Sequence, residues 1–186
     1  METGDVYVAL GSNLGDGMQT LVKAWTLLGE HEGITLVALS PPFVTDPVDM
    51  TSQHRFTNAV GCLSTHHTPQ VLLDILLETE TVLGRTRDGG TTGYQDRIID
   101  LDLLYFGSVI LDNHPKLTLP HPNREKRLFV LAPMAAIAPE FIDPCHSQTI
   151  AELHHQLLEK IRNNQIANQE IKVGLWPEES IHDENR

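Results

Sequence analysis

The chain has 186 residues, 40% of them hydrophobic and 20% charged, a balance that suits one globular domain with a sizeable core rather than a disordered polymer. No apolar run approaches the roughly 20 residues that cross a membrane, and a formal charge of -12 argues against general nucleic-acid binding. Cys62 and Cys145 stand singly, without a CxxC, and METGDVYVALGSN shows no basic segment followed by an apolar one, so a cytoplasmic protein without a disulfide framework or zinc knuckle is expected.

In chain order, VYVAL (6–10) reads as a buried strand ended by the turn-prone GSNLGDG. A helix is predicted over 16–29, with Leu21, Ala24, Trp25 and Leu28 on one face. ITLVALS (34–40) is a second strand, and SPPFVTDPVDMTSQ, with three prolines, is expected to be a long loop of the kind that often carries function. RFTNAVGCLST (55–65) returns to strand character. Thr68 followed by Pro69 is a helix start, with apolar residues at 72, 75, 76 and 83 and Gly84 as a stop. TRDGGTTGYQD is Gly-rich and is expected to be mobile.

The next stretch, DRIIDLDLLYFG (96–107), reads as a strand, with Gly107-Ser108 predicted as the turn of a hairpin. LFVLAPMAAIAP is expected to be a helix broken near Pro133 or starting after it. Thr149 and Glu152 form a capping box that opens a helix through about Ile161. Residues 162–186 are polar and are expected to be a loosely held tail, leaving one domain over 1–161. The mixed order of strands and helices predicts an α+β sandwich of mainly antiparallel sheet and packed helices.

Two aspartates inside an apolar strand demand a reason. In regular alternation Asp96, Ile98, Asp100, Asp102 and Leu104 share one face, and Arg97, Ile99, Leu101, Leu103 and Tyr105 the other. Two like charges on one half-buried face repel, and burying them unpaired costs several kcal/mol each. A divalent cation relieves that cost, and Mg²⁺ in particular is held by one or two carboxylates together with waters and substrate phosphates. Zinc would want His or Cys ligands nearby. D-x-D alone is a weak signal, since such pairs are more often exposed or salt-bridged, but the apolar neighbours argue against simple exposure.

The surroundings point the same way. Seven of the thirteen Lys and Arg residues fall between Arg85 and Arg127, on a chain that is otherwise strongly acidic. Such a locally basic region suits a small polyanion. Arg85 and Arg87 upstream, with His121 and Arg127 downstream, favour Mg²⁺-assisted phosphoryl chemistry, which consists mostly of positioning and charge neutralisation.

Taken in order, ALGSNLGD, TDP followed by FTNAV, GRTR, DRIIDLDLLYFG, LTLPHP and RLFVLAPMAAIAPEF make the chain resemble the 6-hydroxymethyl-7,8-dihydropterin pyrophosphokinases of folate biosynthesis, over about residues 6–144. The resemblance implies a ferredoxin-like α+β fold, a monomer, and transfer of the β,γ-diphosphate of ATP to the pterin hydroxymethyl group, leaving AMP. It implies that Asp100 and Asp102 hold two Mg²⁺ ions and that Arg85 and Arg97 clamp the transferring phosphates. Glu80, Arg87, Leu103, Lys116, Thr118, His121 and Arg127 fall at ATP-contact positions, with Arg87 on a loop whose Gly-rich 88–93 stretch would close as a lid. Thr45, Asp46, Val48, Phe56, Asn58, Tyr94 and Phe129 fall around the pterin, where aromatic faces and an amide suit a flat heterocycle.

The chain departs from the commonest family pattern in several places. Tyr94-Gln95-Asp96-Arg97 stands where Trp-x-Pro-Arg is frequent, Asp46 and Asp49 replace a proline and a glycine, Pro122 follows His121 in place of an aromatic, and Lys116 stands where arginine is also used. No metal ligand or phosphate clamp is removed.

Two other readings stay open on the residues alone: a Mg²⁺-dependent hydrolase or nucleotidyltransferase, which would need a water-activating base, and a non-catalytic ferredoxin-like module, which the presence of both aspartates disfavours. The Gly11-Ser12-Asn13 turn lacks P-loop spacing and reads as a tight, structural strand-to-helix turn that at most touches the pterin side. The adjacent pairs His66-His67 and His154-His155 do not share a face and are poor metal sites.

Overall fold

The computed structural model describes residues 5–46, 54–86, 96–112 and 114–177. Their elements run β1 (Val6–Ser12), α1 (Gly17–Glu30), β2 (Ile34–Leu39), β3 (Phe43–Thr45), β4 (Phe56–Thr65), α2 (Pro69–Val82), β5 (Asp100–Phe106), a 3-10 turn (Arg124–Lys126), α3 (Leu128–Ile137), α4 (Ile150–Arg162) and β6 (Ile171–Val173). The long strand β4 organises the sheet. β1 pairs along one side of it, while β2 and β3 share the other, and β5 and β6 extend the two edges beyond β1 and β3. Every ladder is antiparallel, and the two crossovers β1–α1–β2 and β4–α2–β5 interleave as in a ferredoxin-like fold. The expected α+β architecture is therefore present.

Local chemistry sets the helix starts. The Asp16 carboxylate accepts from the Gln19 N–H at 3.1 Å, and the Thr68 hydroxyl accepts from the Val71 N–H at the head of α2, where Pro69 needs no acceptor. The Thr149–Glu152 capping box is formed in both directions, at 3.2 and 2.8 Å. After α2 the chain leaves through Gly84 at φ +92°, a left-handed conformation that glycine adopts without strain.

Each sheet face has its own core. On one, Leu21, Ala24 and Leu28 of α1 and Leu72 and Leu76 of α2 pack on Val8, Leu10, Leu63, Leu101 and Leu103. On the other, Leu128, Leu131 and Met134 of α3 and Leu153 and Leu157 of α4 pack on Tyr7, Val60 and Tyr105. Each buried aliphatic side chain contributes about 1.5–3 kcal/mol. Trp25 lies directly on the backbone of β4, for a Cβ added at Gly61 would come within 2.2 Å of its ring.

Beneath the second core runs a buried polar knot. Asp143, with no exposed surface, accepts from the Tyr105 hydroxyl at 2.8 Å and from Arg124 Nε and Nη2 at 2.7 and 2.6 Å. The backbone N–H groups of Cys145 and His146 bond its other oxygen at 2.8 and 3.1 Å. Burial pushes the Asp143 carboxyl up, but these donors outweigh it and hold the group below the ordinary carboxylate value.

Several sequence expectations are corrected. The 40–53 stretch contains a short strand, β3, which pairs with both β4 and β6. The alternation of β5 breaks at a register shift: Tyr7 faces Tyr105 but Val8 faces Leu103, so Leu104 is extra. Tyr105 therefore joins Leu104 on the α3/α4 side instead of Leu101 and Leu103. Arg97 also leaves its expected face, because residues 96–99 precede the strand and alternation does not govern them.

The predicted hairpin at Gly107-Ser108 does not return. Val109 and Ile110 are solvent-facing, and the chain comes back only at Leu119, paired with Leu111, and at His121, whose N–H bonds the Leu104 carbonyl at 2.9 Å. Helix α3 begins at Leu128, ahead of Pro133, and runs through it; only the donor to the Phe129 carbonyl is missing. The polar stretch after Arg162 is not loose as far as Trp176, since β6 joins the sheet and the Trp176 indole N–H bonds the Ser40 carbonyl at 2.9 Å. Among the described residues no helix is long and apolar enough to cross a membrane.

Candidate active site

On the α3 side of the sheet, the ends of β1, β3, β4 and β5 open onto one cleft. Ala9 and Gly11 of β1 form its floor. Thr45 and Asp46 close β3 against it, Phe56 and Asn58 open β4, Asp100 and Asp102 come from β5, and Arg127, Phe129 and Val130 overhang it from the start of α3.

Register explains the grouping. Gly11 is opposite Asn58 in the β1–β4 ladder and opposite Asp100 in the β1–β5 ladder. The three residues thus form a row across the sheet, and two strand spacings set Asn58 and Asp100 roughly 10 Å apart. A Cβ at Gly11 would sit 3.2 Å from Asn58 Oδ1, so the glycine keeps the floor low between the two ends. One end is amide and aromatic: Asn58 Nδ2 donates to Thr45 Oγ1 at 3.0 Å, with Phe56 and Phe129 in the walls. The other end is ionic.

At the ionic end Asp100 accepts a guanidinium on each oxygen. Arg85 Nη1 bonds Oδ1, and Arg97 Nη1 bonds Oδ2 at 2.6 Å. Arg85 also donates to Glu80 at 2.5 Å. Burial works against the Arg85 charge, but Asp100 and Glu80 more than offset it and keep the guanidinium protonated. Glu80, only 1% exposed, accepts in addition from the Leu101 N–H at 2.8 Å, which pins β5 between its two aspartates. Asn13 pins the approach to the strand: its N–H donates to the Arg97 carbonyl at 3.1 Å, its Oδ1 accepts from the Arg97 N–H at 2.7 Å, and its Nδ2 donates to Asp96 at 2.6 Å.

Asp102 behaves differently from Asp100. Burial and the neighbouring Asp100 charge push its carboxyl up to about 6, against the pull of Arg127 and Arg97. His121 Nε2 lies 4.0 Å away. Burial first, and then Arg127, push that imidazole down to about 4, so it is neutral at neutral pH and cannot compensate Asp102 as a cation.

Among the described residues no three His, Cys, Asp or Glu side chains gather into a metal-binding cluster. The donor chemistry nonetheless fits a hard cation completed by substrate oxygens. Two carboxylates project from alternate residues of one strand into the same cleft.

The structure thus gathers Thr45, Asp46, Phe56, Asn58, Arg97, Asp100, Asp102, Arg127 and Phe129 around one cavity, with Arg85 and Glu80 behind Asp100 and His121 beside Asp102. Asp46 is engaged from outside by Arg55 at 2.9 Å. The Leu103 side chain packs in the α1/α2 core, so only its backbone can face the cleft side. Lys116 and Thr118 are exposed on the segment after β5 and do not line the cavity. Val48, Arg87, Tyr94 and the 88–93 stretch lie outside the described residues. Sequence reasoning read Gly11 as part of a structural turn that at most touches the pterin side, whereas it lies in β1, and missed Ala9; the signal for this small-residue floor was alternation with the larger Val8 and Leu10. It also missed the pinning role of Asn13, which nothing local announces.

A family model described as 7,8-dihydro-6-hydroxymethylpterin-pyrophosphokinase (HPPK) matches residues 7–139. A Pseudomonas aeruginosa protein named 2-amino-4-hydroxy-6-hydroxymethyldihydropteridine pyrophosphokinase is 41% identical over 135 residues, 73% of this chain and 81% of that protein. A Bacillus subtilis protein of the same name is 39% identical over 131 residues, covering 70% and 76%. Among solved structures, Plasmodium falciparum HPPK-DHPS with pterin and p-hydroxybenzoate superposes with a TM-score of 0.72 at 15% identity, over 92% of this chain and 46% of that one. This chain therefore spans under half of that longer polypeptide, and at such identity the likeness is one of fold.

Proposed function

This chain belongs to the 7,8-dihydro-6-hydroxymethylpterin-pyrophosphokinase family, and we propose on that footing how its cleft carries out diphosphate transfer. The protein is a transferase of folate synthesis that uses ATP as co-substrate and moves its β,γ-diphosphate to 6-hydroxymethyl-7,8-dihydropterin. The pterin hydroxyl oxygen attacks the β-phosphorus and loses its proton, the bond from the bridging oxygen to that phosphorus breaks, and AMP leaves with the oxygen. The row Asn58–Gly11–Asp100 carries this reading, because it sets a heterocycle-reading amide and a phosphate-side carboxylate at opposite ends of one cavity.

In this assignment Phe56 and Phe129 sandwich the pterin, while Asn58, Thr45 and Asp46 read its donor–acceptor edge. Val48 and Tyr94 are assigned to the same substrate. Arg85 and Arg97 transfer their donors from Asp100 to the phosphates, which they can do because both are already aimed at that end. Arg127 and the neutral His121, as an N–H donor, contact ATP, as do Arg87, Lys116, Thr118 and the Leu103 backbone. Glu80 holds Arg85 and β5 in position for the nucleotide.

Asp100 and Asp102 are the residues that would hold two Mg²⁺ ions, which when bound supply neutralisation of phosphate charge. The chain is assigned one catalytic domain over 1–161, to whose sheet β6 of the 162–186 segment is added, and is proposed to act as a cytoplasmic monomer. Incubation with ATP, Mg²⁺ and 6-hydroxymethyl-7,8-dihydropterin should yield AMP and the pterin diphosphate. Formation of ADP would overturn diphosphate transfer.

A further inference from the structure

The chain beyond α4 returns to two elements that line the cleft, β3 and the start of α3. β6 lies against β3 with Ile171 opposite Thr45, and the Gly174 N–H bonds the Pro42 carbonyl at 2.7 Å. Two residues before β6, half-buried Gln169 turns its side-chain amide toward the start of α3. Its Oε1 accepts from the Leu128 N–H at 2.8 Å and its Nε2 donates to the Lys126 carbonyl at 2.9 Å. These two backbone groups bracket Arg127.

We propose that Gln169 is a positioning residue for Arg127, its amide fixing the peptides on either side so that the guanidinium is held over the ionic end of the cleft. Arg127 is the N-cap of α3 but gives that helix no side-chain cap. The Leu128 N–H, one of the donors a helix start leaves without a partner, is satisfied from 41 residues downstream. With both flanking peptides held, the Arg127 backbone is fixed, and the Phe129 ring lies 5.5 Å from its guanidinium carbon. Arg127 lines the cavity and acts on both Asp102 and His121 through its charge. A carboxamide suits the task because it offers a donor and an acceptor side by side, as a neighbouring peptide would. A carboxylate would keep the bond from Leu128 and repel the Lys126 carbonyl. Gln169 lies outside residues 7–139, the part matched by the family model.

The inference rests on the reading of Arg127 as an ATP contact, and the test separates the two. Steady-state kinetics are compared for Gln169→Ala, Gln169→Glu, Arg127→Ala and the Gln169→Ala/Arg127→Ala double variant. Gln169→Ala should raise the KM for ATP about three- to tenfold while leaving the pterin KM and the melting temperature close to the parent's. Gln169→Glu should fall between the two, and Gln169→Ala should add nothing once Arg127 is already alanine. Should Gln169→Ala not fold, Gln169→Glu carries the same comparison. An ATP KM raised by Arg127→Ala but not by Gln169→Ala, or additive effects in the double variant, overturns the proposal alone. An ATP KM unchanged in Arg127→Ala overturns the reading of Arg127 and this proposal with it.

Discussion

Asn58 and Asp100 flank Gly11 in a single row across three strands, so the two ends of the cleft are joined by hydrogen-bonded backbone rather than by a loop. Their separation is therefore set by strand spacing, which single side-chain changes do not alter. What a substitution at Gly11 alters is the floor. Gly11→Ala places a Cβ 3.2 Å from Asn58 Oδ1, and the amide must give way. The pterin KM should rise by about five- to thirtyfold, equivalent to about 1–2 kcal/mol, with a much smaller change for ATP. An unchanged pterin KM would remove Asn58 from the pterin site.

Glu80 serves Arg85 and the Leu101 N–H at once from a buried position. Glu80→Ala leaves that N–H without its acceptor and Arg85 with one carboxylate fewer, and should cost about 2–4 kcal/mol in urea unfolding. Glu80→Gln retains an acceptor and should cost less than Glu80→Ala. Equal losses for the two variants would show that the charge, not the bond to β5, is what matters.

Asp102 is a group whose charge works against folding, since burial and Asp100 both raise its carboxyl. Asp102→Asn should therefore leave thermal stability in EDTA equal to the parent's or higher. The same change should reduce turnover by about 100-fold or more, the scale seen when a transition-state electrostatic group is removed. Normal turnover with Mg²⁺ present would end its assignment as a ligand.

Asp143 carries the opposite sign. Its folded-state carboxyl is held below the ordinary value, so its contribution is complete above the unfolded carboxylate pKa of about 3.9 and disappears as pH falls through the lower folded value. Asp143→Asn should cost about 3–5 kcal/mol near pH 7. That gap should narrow progressively below about pH 4. Urea midpoints of parent and variant across that range provide the check, and a gap independent of pH would refute the linkage.

Much of this fold was readable from local chemistry. The capping residues Thr68 and Thr149 mark two helix starts because a cap is a contact within one turn, and the helix predicted from residue 16 is capped in the structure by Asp16. The strand DLDLLYF announced itself by putting paired carboxylates among apolar neighbours, and its face assignment held as far as Leu104. There the extra residue in the ladder turned Tyr105 over, and no feature of β5 alone predicts that, since a bulge is a mismatch between two strands. Arg97 followed suit: it sits before the strand, and its direction is set by Asn13 and Asp100 rather than by alternation.

The family resemblance singled out Asn58, Phe56 and Phe129 for a flat ring, and the sequence by itself determined the rest of the chemical inventory: two carboxylates two residues apart, a basic region around them, and helix caps. These depend on residue type and short spacing, which the chain carries locally. Tertiary structure alone decided which of them share a cavity. The Gly11 row, the clamp of Glu80 on Leu101, the Asp143 knot and the reach of Gln169 to Arg127 all join residues brought together by sheet register and helix packing. Such contacts are the outcome of burying two apolar faces of one sheet at once, and that minimum is a property of the whole chain.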